Sequence, residues 1–310
     1  MTITIKQKEQ IAQAAKNKAK MHGMSQREVA AQAQVSKTAI TWICSAEETW
    51  REYSISDQKW TAVAEWAGVV FDENEWQLNR EATNFKRFYN MCKHAQEGSI
   101  MIIISDSQGR GKSTAQEAYR DDHAKNSFYL ECETSMVQKV FLRSVKALLG
   151  IPDEGEGIHD SINIIVKRLL TYNKPLLMLD EWNELPEASK RLIKTIWNKT
   201  EGKLGIVICG GRSLKKSLES GVARAKQSYQ EIHSRGGGKI LQGKVLDDKK
   251  ATEEVSRICV LNGLTDQEAI MKVVNNFTGD IRAVRRMIEE HHRAVAKVTA
   301  KQNGKEVAHA

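Results

Sequence analysis

The sequence predicts an α/β core on a parallel sheet, with an all-α region before it and a small helical lid after it. Three observations predict this. Four apolar runs, 100–104, 127–132, 175–179 and 205–209, alternate with helical stretches, as a parallel sheet covered on both faces requires. The first 67 residues read as helices throughout, and amphipathic helices return after residue 247. The length of 310 residues leaves room for two or three domains.

In chain order, residues 25–43 read as two short helices around a tight turn. Ser25 and Ser36 are placed to cap them, and Val29, Ala30, Ala33, Val35, Ile40 and Ile43 supply a small core. Lys37, Thr38 and Thr41 are left facing outward, which fits a helix-turn-helix offering them to a DNA groove. Gln34 stands where such a turn usually carries glycine, and a left-handed backbone there costs roughly 1 kcal/mol. Trihelical units of this kind also dock proteins, so DNA and protein both stay open as partners. Trp42, Trp50, Trp60, Trp66 and Trp76 have helical spacing and read as core or interdomain anchors rather than base-stacking platforms. Residues 68–80 lose the helical period, which divides the chain into 1–67, a linker 68–80, a core 81–246 and a lid 247–310 with a basic tail.

Composition narrows the class. Apolar runs such as Met101–Ile104 are far too short to span a bilayer, and the start lacks the apolar segment of a signal peptide, so the expected location is the cytoplasm. Cys44, Cys92, Cys132, Cys209 and Cys259 stand far apart with no Cys-x-x-Cys pair, which reads as free core thiols. The net charge of +8 favours a polyanionic partner, with basic residues crowding both ends, Lys6 to Lys20 and Arg282 to Lys305. Gly236-Gly237-Gly238 reads as a single mobile loop.

The chemistry sits after the first apolar run. Ser107-Gln-Gly-Arg-Gly-Lys-Ser-Thr114 leads from a strand into a helix, a pattern whose backbone N–H groups and helix N-terminus cradle phosphates. Ser107, Gln108, Gly109, Arg110, Gly111, Lys112, Ser113 and Thr114 are therefore the ATP-binding candidates, with Lys112 on the β- and γ-phosphates and Ser113 on Mg²⁺. The first glycine of this pattern is replaced by Asp106, which must point away from phosphate; restoring glycine is expected to keep or tighten ATP binding. Pro175-Leu-Leu-Met-Leu-Asp180-Glu181 is a buried strand ending in two acids, where Asp180 would hold Mg²⁺ and Glu181 would polarise the attacking water. A further strand, Gly205–Cys209, ends in Gly210-Gly211-Arg212, where ATPases of this architecture carry a polar residue. Here Gly211 departs from that pattern: Arg212 or Ser213 is a candidate substitute, a tight turn with no catalytic role is the other reading, and hydrolysis is expected to be slow.

Gly109-Arg-Gly-Lys-Ser113, Leu179-Asp-Glu181, Ser234-Arg235 and Gly279-Asp-Ile-Arg282 together resemble the AAA+ superfamily of P-loop NTPases. Their order and spacing, with Phe128–Thr134 and Lys250–Gly263, resemble more narrowly the phage Mu target-DNA activators, the MuB family, over nearly the whole chain. The resemblance implies that Arg235 completes a neighbouring subunit's site and that Arg282 is a lid arginine sensing the γ-phosphate. It implies an ATPase stimulated by DNA, with ATP and Mg²⁺ as cofactors. Double-stranded DNA, further copies in a filament or ring, and a transposase would be its partners, in a bacterial host cell. A helicase loader or replication initiator would share every nucleotide motif, and a sequence-specific regulator with a nucleotide-sensing P-loop is the reading from another class.

Overall fold

A computed structural model of the chain describes residues 5–44, 55–69 and 76–307. The chain divides into two compact units, Met1–Trp76 and Gln77–Ala310. Trp50, residues 70–75 of the expected linker and the side chains of Lys6, Lys301 and Lys305 lie outside what is described.

The first unit holds α1 (Ile5–Met21), α2 (Gln26–Gln32), α3 (Lys37–Ile43) and α4 (Asp57–Ala67). Ser25 caps α2 in a reciprocal capping box with Glu28, and the Ser36 hydroxyl accepts from the Ala39 N–H to start α3. Ile11, Ala15, Val29, Ile40, Ile43, Trp60 and Val63 close the core, while Trp42 and Trp66 pack beside it. Gln34, in the turn between α2 and α3, has the left-handed φ of 54° expected from its place in the pattern.

The second unit runs α5 (Thr83–Gly98), β1 (Met101–Ser105), α6 (Lys112–Asp122), β2 (Ser127–Glu131), α7 (Gln138–Leu148), α8 (Ile158–Leu169) and β3 (Leu176–Asp180). After a single turn of 3-10 helix, Trp182–Glu184, follow α9 (Glu187–Thr200), β4 (Gly205–Gly210), α10 (Arg212–Ala223), α11 (Gln227–Arg235) and β5 (Ile240–Leu241). The strands lie parallel in the order β2-β3-β4-β1-β5. Alternation sorts their side chains. Ile102, Ile104, Met178, Val207 and Cys209 pack on α5 and α6, whereas Ile103, Leu177, Leu179, Ile206 and Ile208 face α7 to α11. Four strands match the apolar runs; β5 has two residues, too few for an alternating pattern to show. The glycine run ahead of β5 is packed at its start, because a side chain on Gly236 would meet Ile103 Cδ1 at 2.6 Å.

Three helices form the lid: α12 (Asp248–Leu261), α13 (Gln267–Asn275) and α14 (Ile281–Val307). Val255, Ile258, Cys259, Ile270, Val273, Val284 and Ile288 are buried as their spacing requires. Leu261 is not: the last residue of its helix, it is 41% exposed, beyond the reach of the neighbouring helices. The lid is tied to the core by Glu254, whose carboxylate accepts from the Thr83 N–H at 2.9 Å. Four of the five cysteines are buried and all are free thiols; Cys44 is half-buried. Among the described residues no helix is long and apolar enough to cross a membrane.

Candidate active site

The site lies at the carboxyl ends of β1, β3 and β4. After β1 the chain passes through Gly109 and Gly111, with φ of 71° and 83°, and enters α6 at Lys112. These left-handed glycines turn successive N–H groups toward one point at a helix N-terminus, an arrangement that fits phosphate. The loop shares a cavity of about 480 Å³ with Gly211–Ser213 and with Thr278–Asp280 of the lid. Ser107 lines it, and the Ser107 hydroxyl is buried without a hydrogen-bond partner among the described residues. Arg110 and Arg212 line it too, and Gln108 is exposed there. The chemistry of this donor set suits a polyphosphate.

Lys112 is 6% exposed, and its ammonium donates to the carbonyls of Asp106 at 3.0 Å and Ser107 at 2.7 Å. A third N–H remains for a phosphate oxygen. Ser113 and Thr114 are half-buried in the first turn of α6. Asp180 ends β3 at 1% exposure, accepting from Tyr129 Oη at 3.1 Å and the Glu181 N–H at 3.0 Å. The next residue, Glu181, has φ 46°, a strained conformation for a side chain of its size, worth of order 1–3 kcal/mol. Burial, then the Asp180 charge, pushes the Glu181 carboxyl up, while Lys112 and Arg282 pull it back. Lys112 and Arg282, distant in sequence, thus act on the same carboxyl as its neighbour Asp180.

The lid reaches the loop directly. The Ile281 N–H donates to the Gly109 carbonyl at 2.9 Å, and a Cβ on Gly109 would lie 1.7 Å from Asp280 Oδ1. That oxygen accepts from the Arg282 N–H at 2.8 Å, which fixes the start of α14 and leaves the Arg282 side chain exposed.

Asp106 and Arg235 each have partners that the sequence did not show. Asp106 is buried at the start of the loop, where Oδ1 accepts from the Ser107 N–H at 2.7 Å and Oδ2 from the Gly243 N–H at 2.8 Å. It pins the loop to the segment joining β5 to the lid, so replacement by glycine removes a support. Arg235 closes α11 and is held by Glu231 at 3.2 Å and Asn198 at 2.7 Å, at 22% side-chain exposure. It does not line the loop cavity. Tyr129, which braces Asp180, and Asn183, whose Oδ1 is buried beside Gly210, were not legible in the sequence; each depends on pairing across β2, β3 and β4.

Residues 94–218, from the last turns of α5 into α10, match the family model of the AAA domain. The match to this AAA domain covers the phosphate loop, both acids and β4, and stops short of Arg235, β5 and the lid. No curated protein matches the chain. Among solved structures, the Thermotoga maritima RuvB Holliday junction branch migration motor is similar with a TM-score of 0.47 and 14% identity, over 73% of this chain and 67% of that one. A DNA replication initiation factor is similar with a TM-score of 0.47 and 17% identity, over 76% of this chain and 70% of that one.

In the other compact unit, Lys37, Thr38 and Thr41 are exposed on α3. Thr41 is partly engaged, since its hydroxyl lies 2.9 Å from Gln26 Oε1.

Proposed function

We propose that this protein is an ATP-dependent DNA-binding ATPase of the AAA+ kind that binds DNA largely without regard to sequence, selects targets for transposition and stimulates a separate transposase. The observation that carries the ATPase part is the loop itself: Gly109 and Gly111 turn it into α6 at Lys112, whose ammonium is held by the Asp106 and Ser107 carbonyls, and the lid meets it at the Gly109 carbonyl. ATP would lie on residues 107–114. Ser113 and Asp180 would hold Mg²⁺, which neutralises phosphate charge when bound. Glu181, already partly desolvated, would orient and polarise water for attack. Arg282 would report the γ-phosphate to α14 and, through it, to Arg285 and Arg286, which are exposed on the same helix. Arg235, with a guanidinium prearranged by Glu231 and Asn198, would complete the site of a neighbouring copy.

The DNA part is supported by the net charge of +8, by the exposed Lys37 and Thr38 of a helix-turn-helix arrangement, and by the motif resemblance to the MuB family. Titration of several unrelated fluorescent duplexes with and without ATP tests it. Affinities within about tenfold of one another, gained on ATP addition and accompanied by filaments in electron micrographs, are the expected result. One strongly preferred duplex bound equally well without nucleotide would overturn it in favour of a sequence-specific regulator. Closed rings formed with a helicase would favour a loader.

A further inference from the structure

β4 ends in Gly210, directly before Gly211, in the Gly210-Gly211-Arg212 stretch where a polar side chain is expected. Its register is informative. Ile206 and Ile208 point to the α7–α11 face, so residue 210 points the same way. Leu179 pairs with Ile208 and Ser105 with Gly210, which puts position 210 between the strand that ends in Asp180, just before Glu181, and the strand that leads into the phosphate loop. The Asp106 N–H donates to the Gly210 carbonyl at 3.2 Å. A Cβ on Gly210 would lie 2.2 Å from Asn183 Oδ1. The space a side chain on residue 210 would fill is therefore taken by the amide of Asn183, delivered from the turn that follows the two acids.

The orientation of that amide is set by its neighbours. Asn183 Nδ2 donates to Glu184 Oε1 at 2.6 Å, a carboxylate that only accepts, and the Asn183 carbonyl accepts from Lys190 Nζ at 3.2 Å. The inward group is thus Oδ1, which is buried and takes no hydrogen bond among the described residues. An acceptor repels phosphate oxygen and suits a water proton.

We propose that Asn183 is the positioning residue for the attacking water: with Gly210 left bare to admit it, its Oδ1 accepts one proton of the water whose other proton faces Glu181. This rests on the ATP-hydrolysis reading. It differs from a phosphate sensor in predicting an effect on turnover and not on nucleotide affinity.

The test measures ATP turnover and binding of a fluorescent ATP analogue for the full chain and three variants. Asn183→Ala should lower kcat by about 10²-fold with the analogue's Kd unchanged. Gly210→Ala should do the same with Asn183 intact, because its methyl displaces the amide. Asn183→Ala combined with Gly210→Asn should recover at least tenfold of the loss, since an amide returns to the same space from β4, a rescue no merely structural role for Asn183 would give. Full turnover in Asn183→Ala, or a fall in analogue binding equal to the fall in kcat, overturns the assignment. So does a poorly folded Asn183→Ala combined with an unaltered kcat in Gly210→Ala. A wild-type chain that binds the analogue without turning over ATP overturns this inference and the hydrolysis reading while sparing nucleotide binding; Lys112→Ala supplies the non-binding reference.

Discussion

The two compact units present their candidate contacts in opposite ways. On α3, Lys37 and Thr38 are exposed and are positioned by neighbours a few residues away, chiefly the Ser36 cap. At the phosphate loop, Lys112, Asp106 and Asp180 are at most 7% exposed and are held by partners from β2, the segment after β5 and the loop itself. Exposed, locally placed groups suit a partner read by charge, where solvent screens each contact and many small contributions add. Buried groups placed from a distance suit chemistry, where low polarity strengthens each charge and geometry must hold. Substitutions should divide along this line, with large effects on turnover in the second unit and small, additive effects on affinity in the first.

The largest contrast is expected at Glu181. Glu181→Gln keeps the shape and removes the charge proposed to polarise water, so ATP turnover should drop by about 10²–10⁴-fold while analogue binding persists. DNA complexes formed with ATP should then outlast those of the wild type. Steady-state phosphate release alongside equilibrium binding separates the two effects, and equal turnover in both proteins would remove Glu181 from the mechanism.

Next is Asp106. Glycine at this position satisfies the motif but deletes acceptors for the Ser107 and Gly243 N–H groups. Hydrogen bonds to a charged acceptor contribute about 1.5–3 kcal/mol each, so losing this pair should cost about 3–6 kcal/mol. At about 2–4 °C per kcal/mol for a unit of this size, Asp106→Gly should lower Tm by about 6–24 °C. It should also weaken nucleotide binding by loosening the loop. Asp106→Asn, which keeps one acceptor, should fall between. An Asp106→Gly protein with unchanged Tm and tighter ATP binding would mean that the loop needs no tether.

Asp106 also shows where sequence reasoning stops. The four longer strands, the loop, both acids and the lid helices were legible because each is a local pattern of apolar period, glycine spacing or capping. The tether to Gly243 was not, because the loop and its partner are separated by most of the core and meet only when β5 joins β1. The same holds for Asn183, which becomes meaningful only once register sets it over Gly210. Leu261 shows the reverse: its spacing fits the apolar stripe of α12, yet it is the last residue of that helix and is exposed. Pattern shows which face a residue is on, and not whether anything packs against that face.

A smaller effect is expected from Lys37. If α3 meets the DNA backbone, Lys37→Ala removes about one phosphate contact, so the slope of log K against log salt should become shallower by about 0.9, alike for unrelated duplexes. The proposed ATP-dependent assembly, assigned above to residues of the second unit, should be untouched. An unchanged slope at measurable affinity would assign α3 to a protein partner instead.

The smallest effect should come from Gln34, and its sign is the informative part. Its φ of 54° is left-handed, its side chain is exposed, and its N–H makes a long 3.4 Å bond to the Ala31 carbonyl. Replacing it by glycine therefore removes little packing and relieves roughly 1–2 kcal/mol of backbone strain. Glycine also loses more freedom on folding, by about 0.5–1 kcal/mol, so the two terms nearly cancel and a gain of about 0.5–1 kcal/mol should remain. Gln34→Ala gives no relief, since alanine has the same Cβ. Thermal unfolding of the full chain, followed by the fluorescence of Trp42, Trp60 and Trp66, should place the glycine variant above wild type and the alanine variant level with it. That order would mean the turn tolerates strain in keeping the two helices at their angle; a glycine variant that melts lower would mean that freedom of the unfolded chain outweighs the strain.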